Sequence, residues 1–165
     1  MKLSHLVATF AGVGHLKPAP GTWGSIAALP VAWVLSLIGG PLLLAIAAVA
    51  LFFAGLWATR AETAGKANHD PSEVVVDEVV GQWIAFFPVV FGAWHVGFPL
   101  IDLWPGWVTA LLAFRLFDIW KPWLVGRADR RDDAVGVMLD DVWAGIFAAV
   151  VVVAMAAFFH LVVMR

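Results

Sequence analysis

Two pairs of adjacent carboxylates, Asp77-Glu78 and Asp140-Asp141, stand at the borders of long apolar segments. Acidic groups beside hydrocarbon are costly to leave uncompensated, so both pairs call for a cation. Neighbouring residues on a helix point about 100° apart, so one acid of a pair can hold a metal while the other holds a second ion or orients a lysine. In each context a glycine follows within a turn, Gly81 after the first pair and Gly145 after the second, which leaves room for another helix to come close. Two such acidic segments converging at one side of a small bundle would make an all-oxygen site suited to Mg²⁺. The candidate metal ligands are Asp77, Glu78, Asp140 and Asp141, the alternative for Asp77-Glu78 being first-turn acids that only complement the helix dipole.

A third cluster supplies the opposite charge. Arg115, Asp118 and Lys121 are spaced three apart ahead of Pro122, so they share one face while the helix lasts. A guanidinium offers a planar fork to phosphate and an ammonium a point charge. Asp118 either orients these cations or joins the metal site, or else the Arg115-Asp118 pair is purely structural. The fourth cluster is Pro20-Gly21-Thr22-Trp23-Gly24-Ser25. Here Gly21 lets the backbone pass close to a ligand, Thr22 and Ser25 can cap the helix that follows, and free N–H groups at a helix start attract an anion. A plain helix cap explains this cluster equally well. His69-Asp70 is either a general acid or base or an exposed surface pair. His5, His15, His95 and His160 are scattered without metal-ligand spacing, and no Ser-His-Asp arrangement, P-loop or dinucleotide fingerprint is visible.

The elements that must position these groups are helices. Apolar runs between breakers fall at 25–38, 42–59, 79–94, 106–120 and 141–163, separated by Gly39-Gly40-Pro41, the polar stretch 60–78, the Gly97/Pro99/Pro105 region and the polar stretch 121–140. The first, third and fourth runs are short for a crossing or interrupted by Pro30 and Pro88, which leaves re-entrant or tilted segments open. Residues 24–59 and 142–164 carry no charge at all. The fold expected is all-α, a compact multi-helix integral membrane domain of about five apolar helices spanning residues 1–165 as one unit.

Composition agrees. Of 165 residues, 62% are hydrophobic and 13% charged, and the mean hydropathy is +0.91, far outside the range of soluble domains. The 10 basic and 12 acidic residues nearly cancel, which gives no basic face for a nucleic acid. With no cysteine, disulfides, thiolate catalysis and cysteine-based zinc sites are excluded. Interrupting glycines and prolines before residue 24 argue against a cleaved targeting segment. If all five helices cross, the amino terminus and the 60–78 and 121–140 loops share one side with nine of the ten Lys/Arg residues, leaving Arg165 opposite. That side is then cytoplasmic by the positive-inside rule. Trp23, Trp57, Trp104, Trp107, Trp120 and Trp123 lie near segment ends, either as interfacial belts or as core.

Pro-Gly-Thr-Trp-Gly-Ser (20–25), Asp-Glu-Val-Val-Gly-Gln-Trp (77–83), Phe-Arg-Leu-Phe-Asp-Ile-Trp-Lys-Pro-Trp (114–123) and Gly-Val-Met-Leu-Asp-Asp-Val-Trp-Ala-Gly (136–145) together resemble the phosphatidylglycerophosphatase A family, in its motif order. Two departures fall in the 121–136 loop: Trp123-Leu124-Val125, where the family has Trp-Pro-Ile, and Ala134-Val135, where it has Gly-Gly. The resemblance implies Mg²⁺-dependent removal of the terminal phosphate from phosphatidylglycerophosphate, giving phosphatidylglycerol at the bacterial inner membrane. It implies catalytic roles for Asp77, Glu78, Asp118, Asp140 and Asp141, and phosphate binding by Arg115 and Lys121 with Gly21, Thr22 and Ser25. The rival readings are a small cation transporter or channel, whose acids would spread through the bilayer depth, and a structural membrane subunit, whose acids would only cap helices and pair with Arg115 and Lys121.

Overall fold

A computed structural model describes residues 2–66 and 71–163. Among them there are six α-helices and no strand: α1 (Leu3–Ala8), α2 (Pro20–Thr63), α3 (Val76–Val96), α4 (Trp104–Trp120), α5 (Leu124–Asp129) and α6 (Ala134–Phe158). Four of them are long and apolar enough to cross a membrane.

The 44 residues of α2 would measure about 66 Å if straight, twice a bilayer's hydrocarbon thickness. They do not run straight. Gly39 and Gly40 leave helical geometry, Gly40 with φ of 61°, and Pro41 follows. Contacts on either side show a reversal there. The first limb meets α3 with Gly24 against Val75 and Gly40 against Trp94, and between them Trp83 Nε1 donates to the Ala28 carbonyl. The second limb comes back, so that Gly55 lies against Val76 and Met138. These limbs are the first two apolar runs of the sequence.

Helix α4 runs opposite to α3, with Gly106 against Val89 and Phe114 against Gly81. Helix α6 runs alongside α3 in the same direction, since Met138 meets Gly55 and Gly145 meets Gly81. Five apolar segments thus alternate in direction, and Pro20, Thr63, Val76, Trp120 and Ala134 all gather at one end. That end holds the charged clusters. Trp23, Trp57, Trp120 and Trp123 are exposed near it and Trp104 near the other. Trp107 is core, edge-on to Phe86 with its Nε1 donating to the Leu100 carbonyl.

Three local expectations change. Helix α3 runs through Pro88 for 21 residues and α2 runs through Pro30, because packed neighbours can absorb a lost backbone hydrogen bond. Helix α2 begins at Pro20 with Ala19 as its cap and no side-chain capping bond. Ser25 donates instead to the Gly21 carbonyl at 2.9 Å, so Thr22 and Ser25 lie inside the first turns rather than capping them. Helix α6 begins at Ala134, where the Asp133 carboxylate accepts from Gly136 N. Asp140 and Asp141 therefore sit near the end of its second turn, not at its start.

Helices α3 and α6 approach backbone to backbone. A Cβ at Gly145 would stand 2.4 Å from the Gly81 carbonyl oxygen, and one at Gly81 would stand 2.4 Å from Phe114 and 2.6 Å from the Asp141 carbonyl oxygen. Backbone cannot yield as a side chain can. Gly145→Ala is expected to cost about 3 kcal/mol, the upper part of the overpacking range, read as a lowered melting temperature in detergent.

Candidate active site

Four elements bring the charged groups together. The first turn of α3 carries Asp77 and Glu78, α4 carries Arg115 and Asp118 near its end, α6 carries Asp140 and Asp141, and the first turn of α2 carries Gly21. Asp77, Glu78 and Asp141 each offer an oxygen, and these oxygens lie within 4.8 Å of one another. Asp77 and Asp141 are buried. The Asp118 carboxyl lies near that of Asp141, and Arg115 and Glu78 both face Gly21.

The polar atoms of this centre are only partly satisfied. Glu78 Oε2 and Arg115 Nε are buried without hydrogen-bond partners. Arg115 Nη1 stands 2.5 Å from Asp118 Oδ2, an ion pair by distance but outside hydrogen-bond geometry. A buried orphan acceptor costs a few kcal/mol unless something fills its place. Three converging carboxylates with an orphan oxygen fit a hard dication bound through oxygen. Arg115 Nε, an orphan donor beside them, fits an oxyanion.

Gly21 belongs to the same centre. A Cβ there would fall 2.0 Å from Glu78 Oε1 and 3.3 Å from Arg115 Nη1, so the first turn of α2 forms a wall against both groups. The helix-start N–H groups are partly committed, because Thr22 and Trp23 both donate to the Ala19 carbonyl. A methyl at position 21 must push Glu78 away. Gly21→Ala is expected to lower kcat about 10²-fold, the scale of a 1 Å misplacement, while the melting temperature stays near that of the native chain.

Asp140 and Lys121 form a separate unit at the rim. Helix α4 ends at Trp120 as Pro122 suggested, and Lys121 takes φ of 50° as its cap. Lys121 therefore leaves the Arg115-Asp118 face, contrary to the expected three-residue stripe. Its Nζ donates to Asp140 Oδ2 at 2.9 Å and to Asp129 Oδ1. Burial opposes its charge, but the hydrogen bonds and charges of Asp129 and Asp140 outweigh that and hold its pKa above the ordinary lysine value. Lys121 stays cationic through the neutral range. Asp140 also accepts from Asp141 N through Oδ1, so both its oxygens are engaged. Asp129, on α5, is thus a partner of Lys121. Its signal was faint: eight residues and a short helix separate the two.

A long apolar groove of about 1020 Å³ lies between the second limb of α2, α3 and α6, from Val80 and Leu139 toward Ala157. It is not this site. At 100° per residue, Asp141 points roughly 145° away from the α6 stripe of Leu139, Val142, Ile146 and Val150 that lines the groove. Buried Val76, Val80 and Met138 pack at its charged end. His69 and Asp70 lie outside the described residues.

Sequence relatives of the chain are known. A family model described as phosphatidylglycerophosphatase A matches residues 6–156. The chain is similar to a phosphatidylglycerophosphatase A of Haemophilus influenzae, 36% identical over 91% of this chain and 86% of that protein. The Escherichia coli K12 phosphatidylglycerophosphatase A is 29% identical over 88% and 78%. A putative phosphatidylinositol-3-phosphatase of Bacteroides thetaiotaomicron is 38% identical over 89% of each. No solved structure matches significantly. All four sequence motifs fall within the matched residues, and the chain belongs to the phosphatidylglycerophosphatase A family and is a phosphoric monoester hydrolase.

Proposed function

We propose that this chain is a Mg²⁺-dependent phosphatase of the bacterial inner membrane that hydrolyses phosphatidylglycerophosphate to phosphatidylglycerol and phosphate, with its site facing the cytoplasm. The observation that carries the reading is the convergence of Asp77, Glu78 and Asp141 within 4.8 Å, beside an arginine with an unused donor. Clustering of the acids at one end of the bundle weighs against a cation path through the bilayer. Their unsatisfied oxygen weighs against mere helix capping. The cytoplasmic assignment rests on the Lys/Arg excess at that end.

Asp77, Glu78 and Asp141 would hold the metal, which when bound neutralises phosphate oxygens and positions water. Arg115 binds the terminal phosphate through its unused Nε, and Asp118 fixes the guanidinium through Nη1. Lys121, held over Asp140 and Asp129, lies at the rim as a second cation for the phosphate. Gly21 keeps Glu78 in place, while Thr22 and Ser25 shape the turn behind it. Water oxygen bonds to phosphorus as the bond to the glycerol oxygen breaks. One of the carboxylates accepts the proton of the attacking water and returns a proton to the leaving glycerol oxygen. The acyl chains remain beside the apolar helices.

Substrate choice is tested by measuring phosphate release from detergent-dispersed phosphatidylglycerophosphate, phosphatidylinositol 3-phosphate and glycerol 3-phosphate in Mg²⁺. The first should be hydrolysed fastest and the soluble ester scarcely at all. Faster release from the inositol lipid would instead favour the activity named for the Bacteroides relative.

A further inference from the structure

The amino-terminal segment contains a second polar cluster, packed against the end of α2. His5 Nε2 and His15 Nε2 approach to 3.1 Å, with the rings tilted by 30°. His5 Nδ1 is 3.1 Å from Glu62 Oε2 near the end of α2, and Ser4 Oγ donates to the other carboxylate oxygen at 2.7 Å. Because an ionised carboxylate only accepts, Glu62 places the His5 proton on Nδ1. The lone pair is then on Nε2, aimed at His15.

We propose that His5 and His15 form a binding site for a transition-metal dication of the Zn²⁺ class, distinct from the acid cluster. Two imidazole nitrogens at 2.0–2.1 Å from a tetrahedral ion stand roughly 3.3 Å apart, close to the separation found here. Imidazole prefers Zn²⁺, Ni²⁺ and Cu²⁺ to Mg²⁺. A carboxylate behind a ligating histidine fixes its tautomer and raises its basicity, the part played by Glu62. The remaining coordination positions face solvent, since His15 is exposed.

The backbone holds this juxtaposition at a cost. Phe10, Ala11 and Gly12 have φ of 46°, 57° and 91°, a run in the left-handed region that L-residues avoid and that tends to accompany functional sites. The turn is pinned by buried Thr9, whose hydroxyl donates to the His5 carbonyl and accepts from Gly12 N. Gly14, whose Cβ would fall 2.0 Å from the Glu73 carbonyl oxygen, wedges the other side. The histidines are thus brought together by folding across ten residues.

The test is Zn²⁺ titration of the full chain in detergent with Mg²⁺ saturating, alongside the Cu²⁺ paramagnetic resonance spectrum. Native protein should bind one Zn²⁺ at micromolar concentration, and Cu²⁺ should show coupling to two nitrogens. His15→Gln should abolish Zn²⁺ binding and leave one nitrogen coupling, with Mg²⁺-dependent phosphate release unchanged as proof of folding. His5→Gln should also abolish binding, and Glu62→Gln should weaken it 10–100-fold, the usual range for such supporting partners. Identical Zn²⁺ binding in the native chain and both histidine variants, or none in the native chain, would overturn the proposal.

Discussion

Asp141→Asn is expected to lower phosphate release at saturating Mg²⁺ by at least about 10³-fold, whereas Asp140→Asn should lower it only about tenfold. The two acids are neighbours in sequence but differ in surroundings. Asp141 adjoins Asp118 and shares a 4.8 Å cluster with Asp77 and Glu78, so the amide removes a negative charge from the position where a dication would be held. Losing one group that stabilises transition-state charge costs about 10²–10³-fold, and losing the ion's hold adds to that. Asp140 is engaged with Lys121 and the α6 backbone. Its amide still accepts from Asp141 N through Oδ1 and merely loosens the lysine. Steady-state kinetics across a Mg²⁺ range separates the two roles, because Asp141→Asn should raise the Mg²⁺ requirement and Asp140→Asn should not.

Arg115→Lys is expected to fall nearly as far as Arg115→Ala, about 10²–10³-fold in kcat/KM. The guanidinium sits between Asp118 and the Gly21 wall, with Nε buried and unused. A lysine of the same charge has neither the planar fork nor a donor at that point along its stem. If charge alone mattered, the lysine variant would recover most of the activity. Circular dichroism and thermal unfolding on both variants separate a lost contact from a lost fold.

Much of this site was legible in sequence because its parts are short, local motifs. Asp77-Glu78 needed only a helix start, and Gly81 and Gly145 announced close packing before it was seen. The reversal at Gly39-Gly40-Pro41 could be read from residue types alone. What escaped depended on distant or unusual backbone. Helix α6 starts seven residues before the apolar run at 141–163, and its signal is Asp133, which caps a helix whose first turns carry small and apolar residues. Lys121 left its expected face because it adopts φ of 50°, a conformation that spacing arguments do not foresee. Asp140 resembles its neighbour in sequence, and only the fold sets Lys121 on it. His5 and His15 show no ligand spacing because three consecutive left-handed residues fold one onto the other.

That Asp77, Glu78 and Asp141 hold a divalent cation on which phosphate release depends is the proposal from which the other roles follow. Its most direct test is phosphate release from phosphatidylglycerophosphate by chelator-treated native protein and by Asp141→Asn, as Mg²⁺ is restored stepwise. Release should be absent in chelator, return with Mg²⁺ in the native protein, and stay below about a thousandth of that level in the variant. Full release by the native protein in chelator, or full release by Asp141→Asn at the same Mg²⁺ concentration, would contradict it.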